Sequence, residues 1–350
     1  MVPRPGHPRI ARAVAPEPPA LAAENGRSDA RLRDAAIDET LRRAMLGDAV
    51  PSETAQQAWA RRWSAHLTRP PLDRIGCQDA VMIVSANGID LYVEVHGDDG
   101  GVPVILLHGW PDSHAVWRAQ VPVLAAHGFR VITPDLRGFG QSSRPKGKEH
   151  YRLRDSVADV AAILDACGVP QAHVVGHDWG SAVAWLTAIY LPDRVRTLAA
   201  ISVPHPLAPV TMRQREMAWY QLYFQFEEVA EARVRYNDWA ELRELTPGYK
   251  DIERAIANLS RPGALTATLN WYRANLAPRP PGPPPELPPV TVPTLGIWSD
   301  GDRYLDGPRM RASVEFVQAP WRYEEIPGAT HWIPLDAPER LNELLLDWLA

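Results

Sequence analysis

The sequence predicts an α/β architecture: a mostly parallel central sheet with helices on both faces and an all-helical lid inserted between two core strands. Three observations predict it. Short apolar runs such as "VPVILLHGW" and "AHVVGHDWG" alternate with helical segments, the pattern of a parallel sheet covered on both sides. After Pro204-His205-Pro206 the alternation stops and helix follows helix as far as residue 277. The strand pattern then resumes at "PTLGIWSDGD", so the helical block interrupts the sheet instead of extending it. A chain of 350 residues is long enough for one such domain with an insertion.

Taken in order, residues 1–75 form an extension, of which the first 28 are Pro- and Ala-rich and expected to lack regular structure. Residues 29–67 carry helix formers at some 3.6-residue spacing and read as two short amphipathic helices. The core spans 76–206 and 291–350, and the lid spans 207–290. "AVMIVSANGIDLYVEVHG" is two alternating runs around Asn87-Gly88, a hairpin that would form an antiparallel edge. "VPVILLHGW", "FRVITPDLRGFGQS", "AHVVGHDWG" and "VRTLAAISVP" read as buried strands, with helices at 115–128, 154–167 and 181–190 between them. The lid ends in "APRPPGPPPELPPVTVP", a stiff polyproline-like connector. "RYEEIPGATHW" is the final strand, and "PERLNELLLDWL" is an amphipathic last helix.

Composition narrows the function. Hydrophobic residues make up 45% and charged residues 23%, with a net charge of −5 and no basic stripe, so nucleic acid is not an expected partner. No apolar run reaches the ~20 residues needed to span a bilayer. The N-terminus is too broken by proline for a signal peptide, so a cytoplasmic location is expected. Cys77 and Cys167 show neither a disulfide framework nor metal spacing. No cofactor or metal is expected.

Three residues carry the chemistry: Asp178 in "GHDWG", Asp302 in "WSDGDRY" and His331 in "PGATHW". Each follows a strand, so all three should project at one edge of the sheet, where ligands bind in open α/β sheets. "GHDWG" has the form of G-x-S-x-G, a sharp strand-to-helix turn that presents a nucleophile, with aspartate in place of serine. His331 is then a general base, and a carboxylate must orient its second nitrogen. Asp302 is preferred to Asp300 because it lies four residues past Trp298, clear of the strand end. The backbone N–H groups of Trp110, in "LLHGWPD", and of Trp179 would form an oxyanion hole. His108 reads as a loop-fixing hydrogen bonder, and Pro111 as a candidate for a cis peptide bond.

The aspartate redirects the chemistry. A serine attacking saturated carbon would leave an ether that histidine and water cannot cleave. A carboxylate leaves an ester, whose carbonyl can sit in the oxyanion hole and be hydrolysed. The target is therefore an alkyl carbon bearing a leaving group. A halide needs only weak donors such as indole N–H, whereas an epoxide oxygen needs an acidic donor, for which tyrosine is suited.

Over residues 80–350 the chain resembles the epoxide hydrolases of the α/β-hydrolase superfamily. The resemblance rests on "HGWPDSHAVWR", "GHDWGSAVAW", "WYQLYFQFEE", "LNWYR", "WSDGDRYL" and "GATHW". It implies the α/β-hydrolase fold and two lid tyrosines that activate the epoxide oxygen, at Tyr220 and Tyr272; spacing alone does not separate Tyr220 from Tyr223. With it, Trp110, Trp179, Phe224 and Trp271 are expected to line the cavity, with Pro206 and Gln221 near it. The substrate would be a small apolar epoxide, the co-substrate water, in a detoxification or biosynthetic role. The protein would be a monomer or homodimer. Two features depart from the family pattern: Ser181 stands where glycine or alanine is common, and "WSDGD" replaces the more frequent W-G-x-x-D. The competing readings are a haloalkane dehalogenase using the same aspartate and a non-catalytic protein that binds small ligands on this fold.

Overall fold

The structure is a computed structural model and describes residues 10–14, as backbone only, 80–278 and 286–350. The two helices expected within 29–67 and the centre of the Pro-rich connector lie outside the described residues. Among the described residues nine strands form one sheet in the order β1-β2-β3-β5-β4-β6-β7-β8-β9. They are β1 (Ile10–Val14), β2 (Ala80–Ala86), β3 (Ile89–His96), β4 (Val102–Leu107), β5 (Phe129–Pro134), β6 (Ala172–His177), β7 (Val195–Ile201), β8 (Thr294–Trp298) and β9 (Trp321–Glu325). Only β3 runs against its neighbours. The hairpin between β2 and β3 turns at Asn87 and Gly88, both at positive φ, as an Asn-Gly turn requires. One element departs from expectation. Within the stretch read as lacking regular structure, the backbone of β1 pairs in parallel with β2 along its otherwise open edge.

The continuous apolar runs read as strands buried on both faces, and their side chains alternate as a two-residue period requires. On β4, Val104 and Leu106 enter one core, while Ile105 and Leu107 enter the other. Helices α1 (Val121–Ala126) and α11 (Pro338–Leu349) cover the first face through Leu124, Leu341 and Leu345. Helices α2 (Leu153–Ala166) and α3 (Trp179–Tyr190) cover the second through Val160, Ile163, Val183 and Trp185. The single helix expected at 115–128 is two pieces: a 3-10 turn at His114–Trp117, then α1, with Pro122 in its first turn. Proline lacks the N–H that a continuous helix would need there, and a first turn does not.

Among the described residues five helical segments stand between β7 and β8: α4 (Met212–Met217), α5 (Trp219–Tyr223), α6 (Val229–Leu245), which is broken by a kink at 236–239, α7 (Ile252–Leu259) and α8 (Ala264–Asn275). Phe224, Leu265, Leu269 and Trp271 are buried in the same cluster as α2 and α3, so the insertion shares the core of the sheet. A buried pair ties it internally: Arg273 donates to both carboxylate oxygens of Glu231, at 2.7 and 2.9 Å. Two short helices, α9 (Gly307–Ala312) and α10 (Ile333–Asp336), complete the fold. Among the described residues no helix is long and apolar enough to cross a membrane.

Close approach of backbone at the β6–α3 turn demands glycine. A Cβ on Gly180 would run into the Leu107 carbonyl, and one on Gly176 into the Gly180 carbonyl. Both obstacles are main chain and cannot turn aside, so Gly180→Ala should destabilise the protein by about 3 kcal/mol. The expected result in urea is a lower midpoint with unchanged slope; an unchanged midpoint would show that the turn tolerates a methyl group.

Candidate active site

The carboxyl ends of β4, β6, β8 and β9 place the site. Asp178 directly follows β6 and adopts φ 53°, ψ −121°, a conformation that costs energy for any residue except glycine. The turn lifts its side chain clear of α3 and towards the loop after β4. There the Trp110 N–H donates to Asp178 Oδ1 at 2.7 Å. Gly109 makes the contact possible, since a Cβ at that position would overlap the Asp178 side chain. The Trp110–Pro111 peptide bond is cis. Ser181, the departure noted in the motif, donates its hydroxyl to the Val203 carbonyl at 2.9 Å and so anchors the first turn of α3 to the chain after β7.

His331 stands opposite. Its Nε2 lies 3.5 Å from Asp178 Oδ2, and its Nδ1–H donates to Asp302 Oδ2 at 2.7 Å. The second oxygen of Asp302 accepts the backbone N–H groups of Tyr304 and Leu305, at 2.8 and 3.0 Å. Asp300 is turned away and accepts the Gly328 N–H, which leaves Asp302 as the partner of His331. The backbone carbonyl of His331 accepts His177 Nε2–H at 2.8 Å and the Ser202 hydroxyl at 3.1 Å. His177 is fully buried, and burial pushes its pKa down to about 4, so it acts as a neutral strut. His108 is also a neutral strut: Nδ1–H donates to the Gly109 carbonyl, and Nε2 accepts the Leu136 N–H.

Charge binds the three residues. Burial alone would lower the His331 pKa, but Asp302 and Asp178 outweigh it and push it up to about 10. Burial would likewise raise the Asp178 carboxyl, yet the His331 contact, His177 and the Trp110 N–H hold it below the usual carboxylate range. Both shifts favour a protonated His331 beside an ionised Asp178.

Above the triad lies a small cavity lined by Asp178, His331 and a mainly aromatic wall. Of the residues expected from the sequence, Trp110, Asp178, Tyr220, Phe224, Tyr272 and His331 all face it. Tyr220 and Tyr272 meet edge to face, with ring centroids 5.9 Å apart. Burial and the nearby Asp178 charge push both phenols well above their ordinary value, so both keep their protons. Tyr223, on the same helix as Tyr220, turns towards Trp219 instead. The structure does not bring every expected residue to the cavity. Trp179 packs on Tyr272 and Trp271 behind the wall. Trp271 is fully buried and donates its indole N–H to the Arg137 carbonyl at 3.0 Å. Gln221 stands beside Tyr220, with its amide 3.4 Å from the Tyr220 hydroxyl. Pro206 is exposed and outside the lining.

Four lining residues were not anticipated: Leu245, Thr246, Tyr304 and Trp332. Tyr304 and Trp332 lie within two residues of Asp302 and His331, so proximity to the triad in sequence was a usable signal. Nothing local marks Leu245 and Thr246, which reach the cavity only through the path of α6.

With the geometry in place, comparison with known proteins bears on the chemistry. Residues 102–338 match the family described as alpha/beta hydrolase fold. The "AB hydrolase superfamily protein YfhM" of Bacillus subtilis is 34% identical over 79% of this chain and 99% of its own. "Epoxide hydrolase A" of Mycobacterium tuberculosis is 32% identical over 77% of this chain and 96% of its own. The crystal structure of Epoxide Hydrolase A from Mycobacterium thermoresistibile is similar with a TM-score of 0.65 at 30% identity, covering 78% of this chain and 98% of that one.

The charge arrangement makes a measurable statement about His331. Asp178→Asn removes one of the two negative charges that raise its pKa, so that pKa should fall by about one unit or more. Titration of the His331 ring carbon by NMR checks this, and an unchanged value would mean that Asp302 alone sets it.

Proposed function

The chain belongs to the α/β hydrolase family, and from that premise we propose that it hydrolyses an epoxide to a vicinal diol through an ester on Asp178. One observation carries the reading: a carboxylate occupies the nucleophile turn, within reach of a base, across a cavity from two protonated tyrosines. The cavity is small and its wall is mostly aromatic, which suits a small apolar epoxide.

The steps follow from the charges. An Asp178 oxygen attacks an epoxide carbon, forming a C–O bond as the ring C–O bond breaks. The departing oxygen is held by the hydroxyls of Tyr220 and Tyr272 and takes a proton from one of them. The imidazolium of His331 returns that proton to the tyrosinate, because the alkylated Asp178 no longer carries the charge that raised the His331 pKa. Neutral His331, still oriented by Asp302, then draws a proton from water, which attacks the Asp178 carbonyl carbon. The oxyanion that forms is met by the N–H groups of Trp110 and Trp179. Collapse breaks the ester C–O bond, and the leaving oxygen takes the proton from His331. The carboxyl group formed at Asp178 returns its proton to His331, which releases the diol and restores the carboxylate beside a protonated His331. The sum is epoxide plus water to diol.

A second reading, removal of halide from an alkyl halide, has one feature in its favour. The buried indole N–H of Trp110 has no partner among the described residues, and a halide would accept it. The paired tyrosines have no task in that reaction. An epoxide panel run beside a haloalkane panel separates the two, by diol against free halide.

His331→Gln should form the ester but not cleave it. Intact mass after epoxide treatment should rise by the substrate mass, located on the peptide that contains residue 178. An inactive variant without an adduct would sink the two-step scheme. Tyr220→Phe with Tyr272→Phe should slow ester formation by about 10²- to 10⁴-fold, followed in rapid-mixing experiments. An unchanged rate would assign the proton to another group.

A further inference from the structure

The loop that carries the triad acid is held by the helical lid, not by the core alone. Residues 302–306 form no regular element, so their backbone groups must find partners one at a time. The N–H groups of Tyr304 and Leu305 turn inward to Asp302 Oδ1. The Leu305 carbonyl accepts the indole N–H of Trp298, at the end of β8. The Asp302 N–H donates to the Ser299 carbonyl and the Asp306 carbonyl accepts the Arg309 N–H, and two further groups go to one lid side chain. Gln214 Nε2 donates to the Tyr304 carbonyl at 2.8 Å, and Gln214 Oε1 accepts the Asp306 N–H at 3.0 Å. One amide thus pairs with the loop backbone as a neighbouring strand would.

Gln214 is itself fixed. It is only 3% exposed, and its own N–H donates to the hydroxyl of Thr211, the N-cap of α4. The same hydroxyl donates to Asp306 Oδ2 at 3.1 Å. At the far side of the loop the Tyr304 hydroxyl donates to the Leu245 carbonyl at the end of α6, at 2.7 Å. The acid loop therefore hangs between two lid helices. Its inner face holds Asp302 against His331.

We propose that Gln214 is a positioning residue for the triad: through the loop 302–306 it couples the seating of the lid to the orientation of Asp302, and so to the ability of His331 to activate water. The proposal deepens the reaction scheme above and rests on it for its kinetic consequence. In that scheme Asp302 matters most after alkylation, when Asp178 is an uncharged ester and Asp302 alone orients the imidazole. Loss of Gln214 should leave ester formation nearly intact and slow ester hydrolysis.

The test compares Gln214→Met, which keeps the length and volume, with Gln214→Glu, which keeps the acceptor for the Asp306 N–H but repels the Tyr304 carbonyl. With a styrene-type epoxide, kcat and KM should fall together by about tenfold while kcat/KM stays within about twofold, the pattern of a slowed second step. The acid limb of the kcat profile should move to lower pH, because a misplaced Asp302 supports the imidazolium less. Independently of any substrate, the low-field proton NMR signal of His331 Nδ1–H on Asp302 should be sharp in the wild type and broadened in both variants. A fall in kcat at constant KM, matched by fewer titratable sites, would make Gln214 merely structural and overturn the proposal. So would an unchanged Nδ1–H signal. Gln214→Glu still pairs with Asp306 and keeps the question open to measurement if Gln214→Met does not fold. If the signal broadens while the wild type forms no ester on Asp178, the coupling stands and the reaction scheme falls.

Discussion

A carboxylate that must stay ionised in a largely buried site is the constraint on which the rest of the site depends. The Asp178 side chain is 15% exposed and lines the cavity. An isolated buried charge would neutralise itself by taking up a proton. Here the Trp110 N–H holds one oxygen and His331 faces the other, so the anion is retained without being quenched. The same contacts keep His331 charged, and Asp302 keeps that cation in place. No member of the set is in a comfortable environment alone. Each is stabilised by the charge of the next.

Holding such a set requires backbone that does not move, and the local strain shows where it is held. Asp178 sits at positive φ between glycines at 176 and 180, where two strands and a helix converge too closely for any side chain. The strain is tolerated because α3 is packed from Val183 through Ile189 into the core, with Trp185 fully buried. Two neutral buried histidines, His108 and His177, act as hydrogen-bonded spacers behind the turns that carry Trp110 and His331. Burial keeps them uncharged. A second pair of charges beside the triad would disturb its balance.

The insertion supplies what the sheet lacks. The sheet edge brings together Asp178, His331 and Asp302, and the insertion adds two phenol hydroxyls to the cavity they line. Helices α5 and α8 bring Tyr220 and Tyr272 over Asp178, and Arg273, next to Tyr272, fixes α8 to α6 through Glu231 and to the end of α5 through the Phe224 carbonyl. Apolar packing continuous with the core holds the insertion down, and the polar ties around Gln214 and Tyr304 set its register against the loop of Asp302.

The sequence by itself determined the α/β order and the interruption by helices, and it singled out Asp178, His331 and Asp302, which the structure brings together. These depend on local patterns: two-residue burial along strands, glycine where backbone crowds, and chemistry-bearing residues just past strand ends. It could rank Asp302 over Asp300 by distance from the strand, and the structure pairs Asp302 with His331. Only the tertiary structure decided which aromatics face the cavity. Tyr220 and Tyr223 lie three residues apart on one short helix, and a rotation of that helix would exchange them. Trp271 and Tyr272 are adjacent in sequence, yet one seals against the Arg137 carbonyl and the other faces Asp178. The partners of Gln214 lie some 90 residues away, and no local rule links them. Side-chain facing in a helical insertion is set by how whole helices rest on the sheet, a sum of many weak contacts that no short stretch of sequence contains.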